Sequence, residues 1–163
     1  IFLGNGFSVI KINFRGVGKS EGVFDNGQGE LSDAAAALDF IQRNNANSNE
    51  SWVVGFSFGA LISMQLLMRR PEIFRFISIS PQPNIFDFNF LAPCPTSGLV
   101  VHGDQDQLVP KDTMLILKEK LVSQKNITVD FNEIKGANHF FTHKEKDLVD
   151  CIDAYIHTEP RLS

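Results

Sequence analysis

The sequence has little of several features that mark particular classes of protein. It contains only two cysteines, Cys94 and Cys151, without metal-ligand spacing, so it predicts neither a disulfide scaffold nor a metal site. We interpret both as reduced thiols in a cytoplasmic protein. No apolar run approaches the roughly 20 residues that a membrane-spanning helix needs. The short apolar start has no basic segment before it, which excludes a signal peptide at this point.

The sequence also lacks a large excess of either positive or negative charge. Fifteen basic and nineteen acidic residues give a net charge of −4, and the chain has no run of lysine or arginine. Such a chain is not expected to bind nucleic acid or an anionic membrane. Tyrosine and tryptophan occur once each, whereas fifteen phenylalanines supply most of the aromatic mass for a core or a pocket. The remaining composition is that of an ordinary globular domain, so we expect residues 1–163 to form one.

Strand and helix patterns alternate along the chain. Runs of β-branched and aromatic residues predict strands over 7–14, 51–56, 74–79, 98–101 and 127–134. Apolar stripes and stop signals predict helices over 30–43, 57–70, 110–122 and 143–156, and a helix end over 1–3 closed by a glycine turn. This alternation predicts an α/β fold, a three-layer sandwich in which a mostly parallel sheet has helices on both faces. Active sites of such sheets lie at the carboxyl ends of the strands.

The clearest motif is the segment Gly55–Gly59, Gly-Phe-Ser-Phe-Gly, between an apolar strand and an apolar helix. The pattern G-x-S-x-G is typical of a nucleophile elbow, a strained turn that exposes a serine hydroxyl. Small residues are expected at Gly55 and Gly59 because the strand and the departing helix nearly touch there. The motif predicts Ser57 as a nucleophile, with the N–H of Phe58 as an oxyanion donor at the helix N-terminus.

A serine nucleophile needs a histidine to remove its proton and an acid to orient that histidine. Two later strands end in suitable residues: the segment His102–Asp106 contains two aspartates, and the segment Gly136–His139 ends in a histidine. The chain order serine, aspartate, histidine is that of α/β-hydrolases rather than of the chymotrypsin or subtilisin folds.

Four motifs together carry a family resemblance: the elbow, NFRGVGKSEG from residue 13, HGDQDQLVP from residue 102, and GANHFF from residue 136. Over nearly its whole length the chain resembles the small bacterial dienelactone-hydrolase-like esterases and hydrolases of the α/β-hydrolase superfamily. The resemblance implies Ser57 as nucleophile, His139 as general base and Asp106 as orienting acid, without a cofactor. Asp104 is assigned to shaping the turn. Since dienelactone hydrolases proper have a cysteine nucleophile, Ser57 points to ester or thioester chemistry.

Other residues have less specific expectations. We expect His102 and Asn138 to stabilise their loops, and His143 and His157 to lie at the surface of the last helix. Three phenylalanines at alternate positions could line an acyl pocket or pack in the core beneath their loop: Phe86, Phe88 and Phe90. The segment 81–97 is too short for a cap domain, so an open site is expected.

The glycine-rich segment Gly16–Ser20 raises the alternative of a nucleotide-binding P-loop. That motif needs glycine six residues before the lysine and a helix directly after it. Position 13 is asparagine, and the glycines up to Gly29 do not sustain a helix. We therefore reject a phosphate-binding role and expect this loop to border the active site.

The chain departs from the family pattern at its start, which is Ile1 rather than methionine. The family's third strand lies between the strands predicted at 7–14 and 51–56, and the loop after it supplies the second oxyanion donor. No segment of this sequence corresponds to it. We therefore expect the protein to be longer than these 163 residues. An impaired, non-catalytic binding protein is the alternative, because losing one oxyanion donor costs about 10²–10³ in rate.

The sequence thus predicts a cytoplasmic, cofactor-independent serine hydrolase of the carboxylesterase type. Its expected partner is a small ester-like substrate, which it cleaves through an acyl-enzyme. A serine-aminopeptidase-like peptidase is the alternative within the enzyme class, and an oligomer is compatible with the sequence.

Overall fold

The computed structural model describes residues 1–158, and its centre is a parallel sheet of four strands that are neighbours in chain order. The strands are β1 (Ser51–Phe56), β2 (Ile73–Ile79), β3 (Gly98–Gly103) and β4 (Val129–Ile134). The helices are α1 (Gln28–Asn44), α2 (Phe58–Leu67), α3 (Lys111–Val122) and α4 (Glu145–Ile156), with short 3₁₀ helices at Leu3–Asn5 and Asn89–Leu91. The predicted parallel sheet with its helices is confirmed.

Helices cover both faces of the sheet. Strands buried on both faces are expected to be largely apolar, and β2 and β3 are, apart from Arg75, Ser78 and His102. On one face Phe76 and Val100 pack with apolar residues of α1, α2 and α3. On the other face Ile77 and Val101 pack with Ile152 and its neighbours from α4. Successive strand residues therefore enter opposite cores, which gives the three layers. Within residues 1–158, no helix is both long and apolar enough to cross a membrane.

The stretch 7–14 is not a strand, which corrects the prediction. A strand forms only where a neighbour satisfies its backbone groups, and none of residues 1–158 pairs with this stretch. Side chains attach it instead. The Phe7 ring packs edge-on against Trp52, with ring centroids 5.3 Å apart, and the Phe14 ring packs against Phe58 at 5.7 Å.

Helix α1 begins two residues earlier than predicted because Glu30 holds its first turn. This side chain is fully buried, and its carboxylate accepts hydrogen bonds from the N–H of Asp25 (2.9 Å) and of Gly27 (2.8 Å). Burial disfavours the charged carboxylate, but the backbone N–H donors and Arg15 outweigh it and lower the pKa of Glu30. The predicted apolar stripe is confirmed, with Leu31 and Leu38 buried in the core.

The other three helices begin later than predicted, α3 by one residue at Lys111. Positive φ values exclude Ser57 (54°) from α2 and His143 (62°) from α4. At the start of the chain, Gly6 ends the 3₁₀ helix with φ 82° and donates its N–H to the carbonyl of Leu3. A glycine closure was predicted in this turn, and glycine adopts this conformation at little cost.

Candidate active site

Ser57 lies in the sharp turn between β1 and α2. Its φ of 54° and ψ of −116° are rare for a residue with a side chain and are typical of strained functional positions. The backbone holds the turn on both sides: the Ser57 N–H donates to the carbonyl of Ile79 at 2.9 Å, and its carbonyl accepts from the N–H of Ala60 at 3.0 Å. The ends of β1 and β2 therefore fix the position of the serine.

The two glycines of the elbow are in different environments. A Cβ atom at Gly55 would lie 2.2 Å from the carbonyl oxygen of Gly59 and 2.4 Å from Ser63 Oγ, distances that real atoms do not share. A Cβ atom at Gly59 would meet only Phe14 Cε2, at an ordinary 3.8 Å. The predicted need for a small residue is confirmed at Gly55 and is wrong at Gly59.

A chain of hydrogen bonds joins Ser57, His139 and Asp106. His139 Nε2 lies 2.9 Å from Ser57 Oγ, and His139 Nδ1 lies 2.7 Å from Asp106 Oδ2. The side chains of His139 and Asp106 are each only 3% exposed. The other carboxylate oxygen, Oδ1, accepts from the N–H groups of Leu108 (2.8 Å) and Val109 (3.1 Å). With Nδ1–H directed at the carboxylate, the lone pair of Nε2 faces the serine hydroxyl.

These three residues come from three loops at the carboxyl edge of the sheet. Ser57 follows β1, Asp106 follows β3 and His139 follows β4. Parallel strands bring their carboxyl ends to one edge, which explains how residues so distant in the chain meet. The structure thus brings together the three side chains singled out from the sequence.

Asp104 and Asn138 stabilise the loops around these residues, as predicted. Asp104 Oδ1 accepts from the N–H of Gly136 at 2.6 Å and so joins the loop after β3 to the loop after β4. Asn138 Oδ1 accepts from the N–H groups of Phe140 (3.0 Å) and Thr142 (3.1 Å), directly after His139.

Sequence reasoning missed two residues of the loop after β2. Gln82 Oε1 lies 3.1 Å from Ser57 Oγ, and the hydroxyl of Ser80 donates to the backbone carbonyl of His139 at 3.1 Å. The available signal was their location. Ser80 and Gln82 are polar residues directly after a buried parallel strand, at the edge where the other site residues were sought.

All three alternate phenylalanines pack in or against the core, and one of them also lies beside the site. Phe86 packs against Phe58, the residue after the serine, with ring centroids 5.8 Å apart. Phe88 is buried in the core and stacks on Phe90 at 6.0 Å, and Phe90 itself packs against that core. Phe86 also packs against that core, so core packing describes all three, and Phe86 stays a candidate for the pocket because it contacts Phe58.

Exposed aromatic rings lie on the other side of the site. The rings of Phe56 and Phe140 lie 5.5 Å and 5.1 Å from the imidazole of His139, between ring centroids. Both side chains are exposed, Phe56 at 41% and Phe140 at 65%. We call these two residues the aromatic rim.

The glycine-rich loop near the start of the chain borders the site, as expected. Phe24 packs against Phe58, with ring centroids 5.6 Å apart. Arg15 makes two hydrogen bonds to the carboxylate of Asp33, at 2.9 Å and 2.7 Å, which join the loop to α1. No helix begins between Ser20 and Gln28, so the helix that a P-loop needs directly after its lysine is absent there.

The remaining histidines and the cysteines lie apart from this hydrogen-bonded chain. His102 is half-buried 4.0 Å from Glu133, and burial lowers the pKa of His102 against the effect of that carboxylate. His143 precedes α4 and His157 follows it, and both are exposed. Cys94 and Cys151 are free thiols, and burial raises the pKa of both.

A sequence model of the family described as serine aminopeptidase, S33, matches residues 1–97, more than half of the chain. The chain belongs to this family of α/β-hydrolases. The match includes the elbow and ends before Asp106 and His139. The narrower resemblance to dienelactone-hydrolase-like esterases stays a prediction.

Relatives of this α/β-hydrolase span more residues than it does. It is 49% identical over 162 residues to an uncharacterized protein of Rickettsia prowazekii (strain Madrid E), a match that covers 97% of the chain and 68% of the relative. A crystal structure of an α/β-hydrolase of unknown function from Agrobacterium tumefaciens is 52% identical, with a TM-score of 0.92 over 95% of this chain and 71% of that one. A serine hydrolase without a lid from Xanthomonas campestris is 30% identical, with a TM-score of 0.77 over 91% and 66% of the two chains.

Proposed function

We propose that this α/β-hydrolase cleaves small ester-like substrates by nucleophilic catalysis with Ser57, His139 and Asp106. The observation that carries the proposal is the continuous hydrogen-bonded chain from Ser57 Oγ through the imidazole to the Asp106 carboxylate. A serine hydroxyl is a weak nucleophile until a base removes its proton, and this arrangement places a base at hydrogen-bond distance.

The reaction proceeds through two acyl-transfer steps. Ser57 Oγ attacks the carbonyl carbon of the ester while its proton passes to His139 Nε2. The tetrahedral intermediate then collapses, and His139 returns the proton to the departing alcohol, which leaves an acyl-enzyme on Ser57. A water molecule gives a proton to His139, attacks the acyl carbon and releases the acid, and Ser57 recovers its proton. Asp106 keeps the imidazole in the tautomer that both steps need.

The N–H of Phe58 is the proposed donor to the oxyanion. Phe58 is the first residue of α2, where backbone N–H groups have no acceptor within the helix. The positive end of the helix dipole adds to this donor. A second donor in the α/β-hydrolase fold comes from the loop after a strand that has no counterpart among residues 1–158.

Uncharged neighbours of the nucleophile support an ester substrate. Gln82 contacts Ser57, and phenylalanines pack around Phe58 and His139. The free ammonium group of an aminopeptidase substrate is bound best by a carboxylate. The carboxylate of Asp106 is already bonded to His139 and to two backbone N–H groups. An open site agrees with the relative from Xanthomonas campestris, which is described as lacking a lid.

Aminopeptidase activity is the second candidate, favoured by the description of the family whose model matches residues 1–97. It predicts cleavage of aminoacyl p-nitroanilides, whereas the ester proposal predicts cleavage of p-nitrophenyl esters of short acids. Parallel kinetics on both panels separate the two candidates.

The proposal is tested by intact-mass analysis after treatment with a fluorophosphonate. We expect one covalent adduct on the parent protein and none on Ser57→Ala. Ser32→Ala, which removes an exposed hydroxyl on α1, is the matched control and should be labelled like the parent. A folded parent that acquires no adduct and cleaves no ester would refute the proposal.

A further inference from the structure

Gln82 is the second polar side chain at the nucleophile. Ser57 Oγ has two hydrogen-bonding neighbours in the structure, His139 Nε2 at 2.9 Å and the Gln82 side-chain amide at 3.1 Å. In the proposed reaction His139 takes the serine proton, and Gln82 has no role yet.

The number of protons at Ser57 limits what Gln82 can do. The hydroxyl has one proton, and His139 Nε2 needs it when Nδ1–H donates to Asp106. Ser57 Oγ then offers Gln82 only lone pairs, which only the amide NH₂ can satisfy. The amide can rotate about its last bond to present either nitrogen or oxygen. In the structure the amide oxygen faces Ser57 Oγ, and in that orientation two acceptors compete for the single hydroxyl proton.

The chain around Gln82 is firmly fixed. Ser80 is fully buried with a φ of 46°, and its N–H donates to the carbonyl of Val101 at 2.8 Å. The Ser80 hydroxyl bonds the backbone of His139. Prolines stand on both sides of Gln82 and restrict its backbone. Its carbonyl accepts from the N–H of Phe86 at 3.0 Å, which closes the following turn.

We propose that Gln82 is a positioning residue for Ser57. With the amide rotated by half a turn from its orientation in the structure, its N–H donates to Ser57 Oγ. The hydroxyl proton is then directed at His139, and the negative charge that develops on Oγ is stabilised as that proton leaves. This inference rests on the proposed function, because it assigns Gln82 a part in the activation of the same serine.

The test compares Gln82→Met and Gln82→Glu in the full-length protein. Methionine preserves the size of the side chain without the amide, and we expect the rate of fluorophosphonate labelling and kcat for a p-nitrophenyl ester to fall about 10- to 100-fold. KM should change little, because Gln82 acts through Ser57 rather than on the substrate. Gln107→Met and Gln107→Glu are matched controls, since Gln107 is exposed on the loop after β3.

Gln82→Glu provides a readout that a merely structural role would not move. The glutamate carboxylate can only accept a hydrogen bond from the serine hydroxyl. It also adds a second negative charge near the imidazole, beside that of Asp106, and so favours the protonated imidazole. The acid limb of the pH profile of kcat/KM should therefore move to higher pH in Gln82→Glu and stay in place in Gln107→Glu.

Three results would overturn the inference: unchanged labelling in Gln82→Met, a change confined to KM, or an equal pH shift in both glutamate variants. Thermal unfolding of each variant establishes that it is folded. Labelling of the parent protein distinguishes a failure of this inference from a failure of the proposed function. A labelled parent with an unaffected Gln82→Met refutes the role of Gln82 alone, whereas an unlabelled parent refutes both.

Discussion

A single added methyl group should have opposite effects at the two glycines of the elbow. In Gly55→Ala the new carbon would lie 2.2 Å from the carbonyl oxygen of Gly59 and 2.4 Å from Ser63 Oγ. The first contact is with backbone, which cannot rotate away, so the end of β1 or the start of α2 must move by about 1 Å to restore ordinary separations. In Gly59→Ala the nearest atom is 3.8 Å away and nothing has to move.

The magnitudes follow from these contacts. Overpacking typically costs about 1–3 kcal/mol, and a collision with backbone belongs in the upper half of that range. In a domain of this size each kcal/mol changes Tm by about 2–4 °C, so Gly55→Ala should lower Tm by about 4–12 °C. Alanine is favoured over glycine within a helix by about 0.5–1 kcal/mol. Gly59 lies within α2, so Gly59→Ala should raise Tm by about 1–4 °C.

Thermal unfolding followed by circular dichroism measures both shifts, and the rate of fluorophosphonate labelling reports on the site. A displacement of about 1 Å at the nucleophile can cost about 10²-fold in rate, so Gly55→Ala should also label slowly while Gly59→Ala keeps the parent rate. Equal destabilisation by the two substitutions would mean that the elbow is crowded at both glycines, as the motif alone suggests. That result, or an unaffected Gly55→Ala, would refute the reasoning.

Two further predictions concern carboxylates. Asp106→Asn should lower kcat for an ester by about 10³–10⁴ because the amide no longer fixes the imidazole tautomer. Asp104→Asn keeps an acceptor for the N–H of Gly136 and should retain activity in the same assay. Similar losses of activity in both variants would contradict the assignment of Asp106. Glu30 has a lowered pKa in the folded state, so its stabilisation is present above the ordinary carboxyl pKa and is lost as the pH falls through the folded-state pKa. The free energy of unfolding in urea at pH 7 should therefore be about 1.5–3 kcal/mol lower for Glu30→Gln than for the parent, with a smaller difference near pH 3.5. A difference that does not change with pH would show that the charge of Glu30 is not the cause.

Local patterns were sufficient to predict much of the fold and of the site. The apolar strand before Ser57 and the turn residues after β3 and β4 are contiguous in sequence, and each points to the same edge of the sheet. The order of Ser57, Asp106 and His139 then indicated the superfamily, to which the chain does belong. The positions of these residues depend on strand ends, which sequence patterns reveal well.

The features that were missed depend on distant contacts. The stretch 7–14 has strand-forming residues, but whether it pairs depends on a neighbour elsewhere in space. Gln82 reaches Ser57 only because Ser80 turns the backbone through a left-handed conformation. Gly59 was expected to be crowded because the strand and the departing helix approach each other at the elbow, whereas in the structure only Gly55 is crowded by that approach.

The loops around the site are joined by hydrogen bonds, whereas the aromatic rim beside them is exposed. Hydrogen bonds of Ser57, Ser80 and Asp104 tie the loops to one another and to the strand ends, so a change in one loop disturbs the others. The aromatic rim, Phe56 and Phe140, is exposed beside the same imidazole. Substitutions of Phe56 and Phe140 should therefore leave the reacting groups in place, and under the proposed function these are positions at which substrate preference can change.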